Sequence, residues 1–269
     1  MRRCLPSLAL LVALALPGAA SAHKMFLVPS ATVLSDGADA WLTVDAAVSN
    51  DLFYFNHVPL AIGGLVVTAP DGTTLAPENV ARGKYRSTFD LHLQQAGTYR
   101  IAVVSDGLMA RFEDAQGKPG RVRGRVGALE IPAGATKVEI SETQNRVETF
   151  ATLGKPDQAA LKPTGKGLEL VPVSHPNDLV DGEAASFRLL MDGKPAAGLE
   201  VVAIAGGTRY RDRQGEIQTR TDAQGQFSMT FPAPGMYWLN ASVEGARPTL
   251  REAATRRASY TATLEVLPQ

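Results

Sequence analysis

Asp192-Gly193-Lys194-Pro195-Ala196-Ala197-Gly198-Leu199-Glu200-Val201, then Thr221-Asp222-Ala223-Gln224-Gly225-Gln226-Phe227, then Pro234-Gly235-Met236-Tyr237-Trp238-Leu239 are the stretches that decide the fold. Each sets glycine in a turn and follows it with a short apolar or β-branched run. Glycine reaches positive φ without steric cost, and an aspartate side chain bonds the backbone of its own loop. Short strands punctuated this way predict antiparallel sandwiches.

The same punctuation recurs toward the amino end, at Asp181-Gly182, Asp106-Gly107, Ala96-Gly97, Asp71-Gly72 and Asp36-Gly37. Between the turns lie alternating runs such as AWLTVDAAV (40–48), TYRIAVV (98–104), ASFRLLM (185–191) and LEVVAIA (199–205). Helical periodicity is scarce; Pro156 to Leu161 supports one short turn. GKPDQAALKPTGKG (154–167), with three glycines and two prolines, reads as a linker. The sequence thus predicts an all-β chain of two Ig-like antiparallel β-sandwich domains, at 23–154 and 166–269, joined by 155–165. Gly97-Thr98-Tyr99 and Gly235-Met236-Tyr237 open one strand in each half. Their tyrosines are expected to act as corners, with the hydroxyl on loop backbone and the ring in the core.

The first residues read as an address. Arg2 and Arg3 precede an apolar run, Leu8–Leu16, too short to span a bilayer. Pro17-Gly18 breaks the run, and Ala20-Ser21-Ala22 forms an A-x-A cleavage site. A signal peptide over 1–22, a mature start at His23 and a periplasmic location are expected. Cys4, the single cysteine, lies upstream of the apolar run and cannot be a lipoprotein anchor. Without it the mature chain has no disulfide partner and no thiolate ligand.

Charge narrows the partners. The 27 basic and 27 acidic residues balance, and no lysine or arginine cluster is dense enough for nucleic acid or an anionic membrane. RYRDR (209–213) reads as a solvated strand or loop. No stretch after Ala22 is apolar enough for a transmembrane helix, so direct membrane insertion is not expected. Catalytic signatures are missing too: no G-x-S-x-G elbow, H-E-x-x-H, P-loop or dinucleotide fingerprint. Asp45, Asp51 and Asp90 are isolated carboxylates, and a non-enzyme is expected.

Four histidines remain: His23, His57, His92 and His175. Cleavage would give His23 a free α-amine beside its own imidazole, a two-nitrogen chelate. The amine titrates near pH ~8 and imidazole near ~6.5, so both lose protons around neutrality. Such donors suit divalent nickel, cobalt, copper or zinc, and a tight site needs further ligands. His57, in Phe53-Tyr54-Phe55-Asn56-His57-Val58-Pro59, is the first candidate, its proline marking a strand edge or loop. His175, just before Pro176, follows. His92 alternates with Leu91 and Leu93, which points to an exposed sheet position. Met25 adds a soft thioether for Cu(I). The bland reading makes each histidine a loop or surface residue bonded to backbone or water. Of the aromatics at 53–55, at least one ring should face solvent or a cleft.

The opening His23-Lys24-Met25-Phe26-Leu27-Val28-Pro29-Ser30 resembles the H-x-x-W-L-x-P start of the bacterial DUF4198 family, with Phe26 in place of tryptophan. The resemblance extends through Asp45–Asp51, Gly97-Thr98-Tyr99-Arg100 and Leu170-Val171-Pro172. The D-G-K-P … T-D-x-x-G-x-F stretches also resemble carboxypeptidase-regulatory and prealbumin-like Ig modules, which imply a fold and little about function. Membership implies a periplasmic protein. Some relatives are linked to nickel or cobalt uptake beside energy-coupling-factor transporters, and on that analogy His23 is the first metal ligand. The leading expectation is a divalent transition-metal-binding accessory to a membrane metal transporter. The rival is a metal-free binding or adhesion module that contacts a glycan or membrane protein through the aromatics at 53–55 or an edge strand.

Overall fold

A computed structural model describes residues 23–37 and 39–269; the expected signal peptide and its cleavage site lie outside the described residues. The chain runs β1 (Lys24–Pro29), β2 (Val33–Leu34), β3 (Ala40–Ser49), β4 (Val58–Pro59), β5 (Leu65–Thr68), β6 (Thr74–Leu75), β7 (Glu78–Arg82), β8 (Ser87–Leu93), β9 (Gly97–Glu113), β10 (Pro119–Gly124) and β11 (Thr136–Leu153). It continues with β12 (Leu168–Pro172), β13 (Leu179–Val180), β14 (Ala184–Met191), β15 (Lys194–Pro195), β16 (Glu200–Ala205), β17 (Ile217–Arg220), β18 (Gln226–Thr230), β19 (Gly235–Ala246) and β20 (Thr255–Leu267). One 3-10 turn, Thr208–Tyr210, is the helical element among the described residues. The all-β, mainly antiparallel sandwich architecture predicted from the turns is what the structure has.

The strands form three sheets, and one of them belongs to both halves. The first is β1-β3-β8-β7 with β4 beside β3, and another is β12-β14-β15 with β18 beside β14. Between them an 11-stranded sheet runs β17-β16-β19-β20-β11-β9-β5-β6. Its halves join where β11 pairs in parallel with β20, Ser141 opposite Thr255 through Thr149 opposite Thr263. Side chains alternate across a strand, so β11 serves two cores. Val147, Ala151 and Leu153 pack with Leu42, Val44, Phe89 and Leu91 of the first sheet. Phe150, on the opposite face, packs with Phe187, Leu189 and Leu170 of the other outer sheet and with Tyr260 and Leu264 of β20. Cover on both faces explains why every residue from Arg146 to Leu153 is buried.

Segment 155–165 is tied down. Ala160 and Leu161 are buried, and the Asp157 amide donates to Thr98 Oγ1 at 3.2 Å. Arg100 Nη1 donates to the Lys162 carbonyl at 2.9 Å. Both tyrosine corners form. Tyr99 donates to the Gln95 carbonyl at 2.9 Å and Tyr237 to the Ala233 carbonyl at 2.8 Å, each four residues back. A third, smaller core joins the halves: Phe26, Ala47, Leu52 and Ile204 are buried together, with Phe53, Phe55 and Trp238 against them. Burial of Phe26 contributes about 1.5–3 kcal/mol to this contact.

Candidate metal-binding site at the amino end

The end of β3 is flanked by two strands. β1 runs along one edge, Phe26 opposite Ala47 and Lys24 opposite Ser49. Beyond the last residue of β3 paired with β8, β4 takes over the other edge, with Pro59 opposite Ala47 and Val58 opposite Val48. The residues just before β1 and β4 are His23 and His57. Their rings stack across the strand end, centroids 3.9 Å apart and planes 19° from parallel. Both side chains are exposed, and neither ring nitrogen has a hydrogen-bond partner among the described residues.

Parallel stacking is not a chelating pose. Nitrogens bound to one ion sit about 2.0–2.1 Å from it, with their in-plane lone pairs aimed at it. The rings must therefore turn about their side-chain torsions, which exposed side chains do freely. The backbone beneath them is firmer. Trp238 Nε1 donates to the Met25 carbonyl at 2.9 Å, fixing β1 to β19. The Lys24 ammonium lies 5.8 Å from the centre of the same indole. Burial holds the Lys24 pKa below its ordinary value, against the raising pull of the Glu216 and Asp51 carboxylates. On the facing loop, Asn56 donates to Asp51 Oδ2 at 2.8 Å and its carbonyl oxygen accepts from Ser49 Oγ. The Leu52 amide donates to Thr208 Oγ1 at 3.1 Å, anchoring the loop to the far half.

The other two predicted ligands go elsewhere. His175 lies in the seam, where its Nε2 is 2.9 Å from Thr98 Oγ1 and 3.0 Å from the Asp157 carbonyl. Its Nδ1 accepts from the Asn177 amide at 3.2 Å. Both nitrogens hold segment 155–165 and the 175–177 turn, which leaves no lone pair for a metal. His92 stacks on Trp41 across β3 and β8, centroids 4.4 Å apart, and its Nδ1 meets the Gln94 amide at 3.3 Å. Its Nε2 is 3.4 Å from Asp39 Oδ1 but makes no hydrogen bond. Among the described residues, no three His, Cys, Asp or Glu side chains converge as a metal site, so His175 and His92 do not join the pair. Met25 packs against the core of the amino-terminal sandwich. Of the aromatics, Phe53 and Phe55 pack on Phe26, while Tyr54 is 42% exposed with the Arg209 guanidinium 4.2 Å from its ring centre. Sequence reasoning missed Trp238 as the anchor of β1, because its partner carbonyl, Met25, lies 213 residues away.

No helix among the described residues is long and apolar enough to cross a membrane. None of the curated proteins compared matches the chain in sequence. Among solved structures, the D0-D1 domain of intimin is 14% identical with a TM-score of 0.24, covering 90% of this chain and 97% of that one. The Yersinia pseudotuberculosis adhesin InvE is 13% identical with a TM-score of 0.23, over 92% of this chain and 61% of that one. Trypsin-activated alpha-2-macroglobulin from Escherichia coli is 13% identical with a TM-score of 0.23, over 90% of this chain and 16% of that one. These likenesses are too slight to bear on function. The family model described as a domain of unknown function, DUF4198, matches residues 20–245, and the chain belongs to that family.

Proposed function

We propose that the protein is an envelope metal-binding protein that captures a divalent transition metal and passes it to a membrane metal transporter. Removal of residues 1–22 would leave the His23 α-amine and imidazole as one chelate, and His57 supplies a third nitrogen. The observation that carries this reading is the meeting of His23 and His57 at 3.9 Å, exposed and without hydrogen-bond partners among the described residues. Nitrogen donors without thiolates suit nickel, cobalt, copper or zinc. Three nitrogens leave coordination positions to water or to a donor of the transporter. An incomplete set on an exposed edge suits exchange better than storage.

Calorimetric titration of the processed protein with Ni(II), Co(II) and Zn(II) tests the reading. One ion should bind per chain, and His23→Ala and His57→Ala should each weaken binding by at least about tenfold, or 1.4 kcal/mol. Unchanged affinity in His23→Ala ends it. The rival, a glycan- or protein-binding module, draws on the exposed Tyr54 beside Arg209. Retention of a partner in the presence of chelator, lost in Tyr54→Ala, would favour the rival.

A further inference from the structure

We propose that a cavity at the seam of the two halves binds a neutral, polyhydroxylated small molecule of monosaccharide size. The cavity, about 270 Å³, opens between β9, β11 and β20 on one side and the 166–168 segment and Asp192 turn on the other. It lies on the β11 face that carries Arg146 and Phe150, opposite the face covered by the amino-terminal sheet. The site is independent of the reading of His23 and His57.

Its floor is a buried ionic network. Arg256, 2% exposed, gives Nη1 and Nη2 to Asp192 at 2.6 and 3.0 Å, and Nε to Gln144 at 2.9 Å. Glu142 lies 3.3 Å from Arg256 Nε and accepts from the Thr249 and Leu250 amides. Arg146 donates to Glu148 at 2.9 Å and to Thr164 Oγ1 at 3.3 Å, with Glu169 at 3.4 Å. Guanidinium carries five N–H donors, so Arg146 keeps unspent donors at a residue that lines the cavity. At the rim, the Lys166 ammonium and the Asp106 carboxylate make no side-chain hydrogen bond or ion pair among the described residues. Asn145 and Ser259 bond each other at 2.8 Å on the opposite face of the sheet and border the cavity from the strand edge without offering it their side chains.

The charge balance selects the ligand. Arg146, Lys166 and Arg256 are the cations; Asp106, Asp192, Glu142, Glu148 and Glu169 are the anions that line the cavity or touch its arginines. The lining itself carries three cations against Asp106 and Asp192, but both arginines are already paired with carboxylates, and Asp106 balances the remaining Lys166, which disfavours a bound anion. An apolar ligand would strand the donors of Arg146 and the carboxylate of Asp106, which is unfavourable without compensating bonds. A sugar hydroxyl both donates and accepts, so one ring can serve Arg146 and Lys166 as acceptor and Asp106 as donor. Val104 and Leu168 give its carbon faces an apolar wall. Arg146 and Arg256 are fixed by their carboxylates before the ligand arrives, which limits the ordering cost of binding.

The test is saturation-transfer NMR and calorimetry on the processed protein with D-glucose, D-galactose, D-ribose, L-arabinose and N-acetyl-D-glucosamine. Citrate, phosphate and leucine serve as charged and apolar comparisons. Asp106→Ala and Lys166→Ala alter exposed side chains that make no internal bonds, so the fold should survive both. At least one sugar should bind, Asp106→Ala should weaken it by at least about tenfold, and His23→Ala should leave it unchanged. The proposal fails if no sugar binds at about 10 mM, well above a ~1 mM Kd worth only ~4 kcal/mol. It fails equally if Asp106→Ala binds the sugar as well as the parent, or if citrate or phosphate binds more tightly than every sugar.

Discussion

At the exposed end of β3, His23 and His57 stack with their ring nitrogens unbonded among the described residues; in the seam, His175 sits with both ring nitrogens engaged. His57 and His175 look alike in sequence in one respect, each lying within two residues of a proline. What separates them is whether burial obliges the ring to satisfy its neighbours. In the seam, the Thr98 hydroxyl is buried and the Asp157 carbonyl half-buried, and an unpaired buried group costs about 1–3 kcal/mol. At the strand end, water serves the nitrogens, and replacing it with a metal costs little structure. Groups that hold a fold together are spent, while those left to solvent are available for chemistry.

The contrast is broken most forcefully at the buried ions. Arg146→Ala leaves the Glu148 and Glu169 carboxylates without their cation, both only 2% exposed. Removing one partner of a buried pair typically costs about 3–5 kcal/mol. Urea denaturation should show a loss of that size, and less than about 1 kcal/mol would mean that the network contributes little. Next comes His175→Ala, which strands the Asn177 amide and the Asp157 carbonyl and should destabilise by about 1–3 kcal/mol. Trp238→Phe keeps most of the packing but removes the bond to the Met25 carbonyl, for about 1 kcal/mol, and should also lower metal affinity by loosening β1. His23→Ala and His57→Ala, judged by stability alone, should fall within about 0.5 kcal/mol of the parent.

A smaller effect depends on acid. The hydrogen bonds from Arg256 hold the Asp192 carboxyl below the ordinary carboxylate range. A depressed carboxylate pKa gives stability that is complete above the unfolded value, ~3.9, and is lost as pH falls through the folded value. Thermal melts below pH 4 should therefore fall less steeply for Asp192→Asn than for the parent. The Asp192 side chain is 45% exposed, so solvent screening keeps the difference small.

Local pattern carried much of the fold. Gly225 sits at φ +76° where a side chain would collide with the Leu189 carbonyl, so the turn in Thr221–Phe227 had to be glycine. Tyr99 and Tyr237 announced their corners through the preceding glycines. The continuous central sheet was not legible, because the parallel pairing of Thr149 with Thr263 depends on which apolar faces pack, not on any nearby residue. The same gap affected the site. Sequence could rank His57 beside His23 on loop accessibility, but the bonds that consume His175 come from Thr98 and Asp157, remote in the chain. The apolar alternation around His92 placed it on the sheet face away from Leu91 and Leu93, but as an exposed residue; its side chain is only 26% exposed and its Nε2 is buried. The Trp41 ring stacked on it follows from cross-strand register, Trp41 opposite His92.

The most direct trial asks whether the α-amine of His23 is a donor. Cyanate near pH 7 carbamoylates an α-amine, pKa ~8, in preference to ordinary lysines near ~10.4; burial lowers the Lys24 pKa, so the protein tested carries Lys24→Arg. Processed protein blocked in this way keeps both imidazoles and the fold. Its nickel affinity, titrated beside the untreated protein, should drop at least about tenfold; equal affinity would contradict a metal site founded on the chain start.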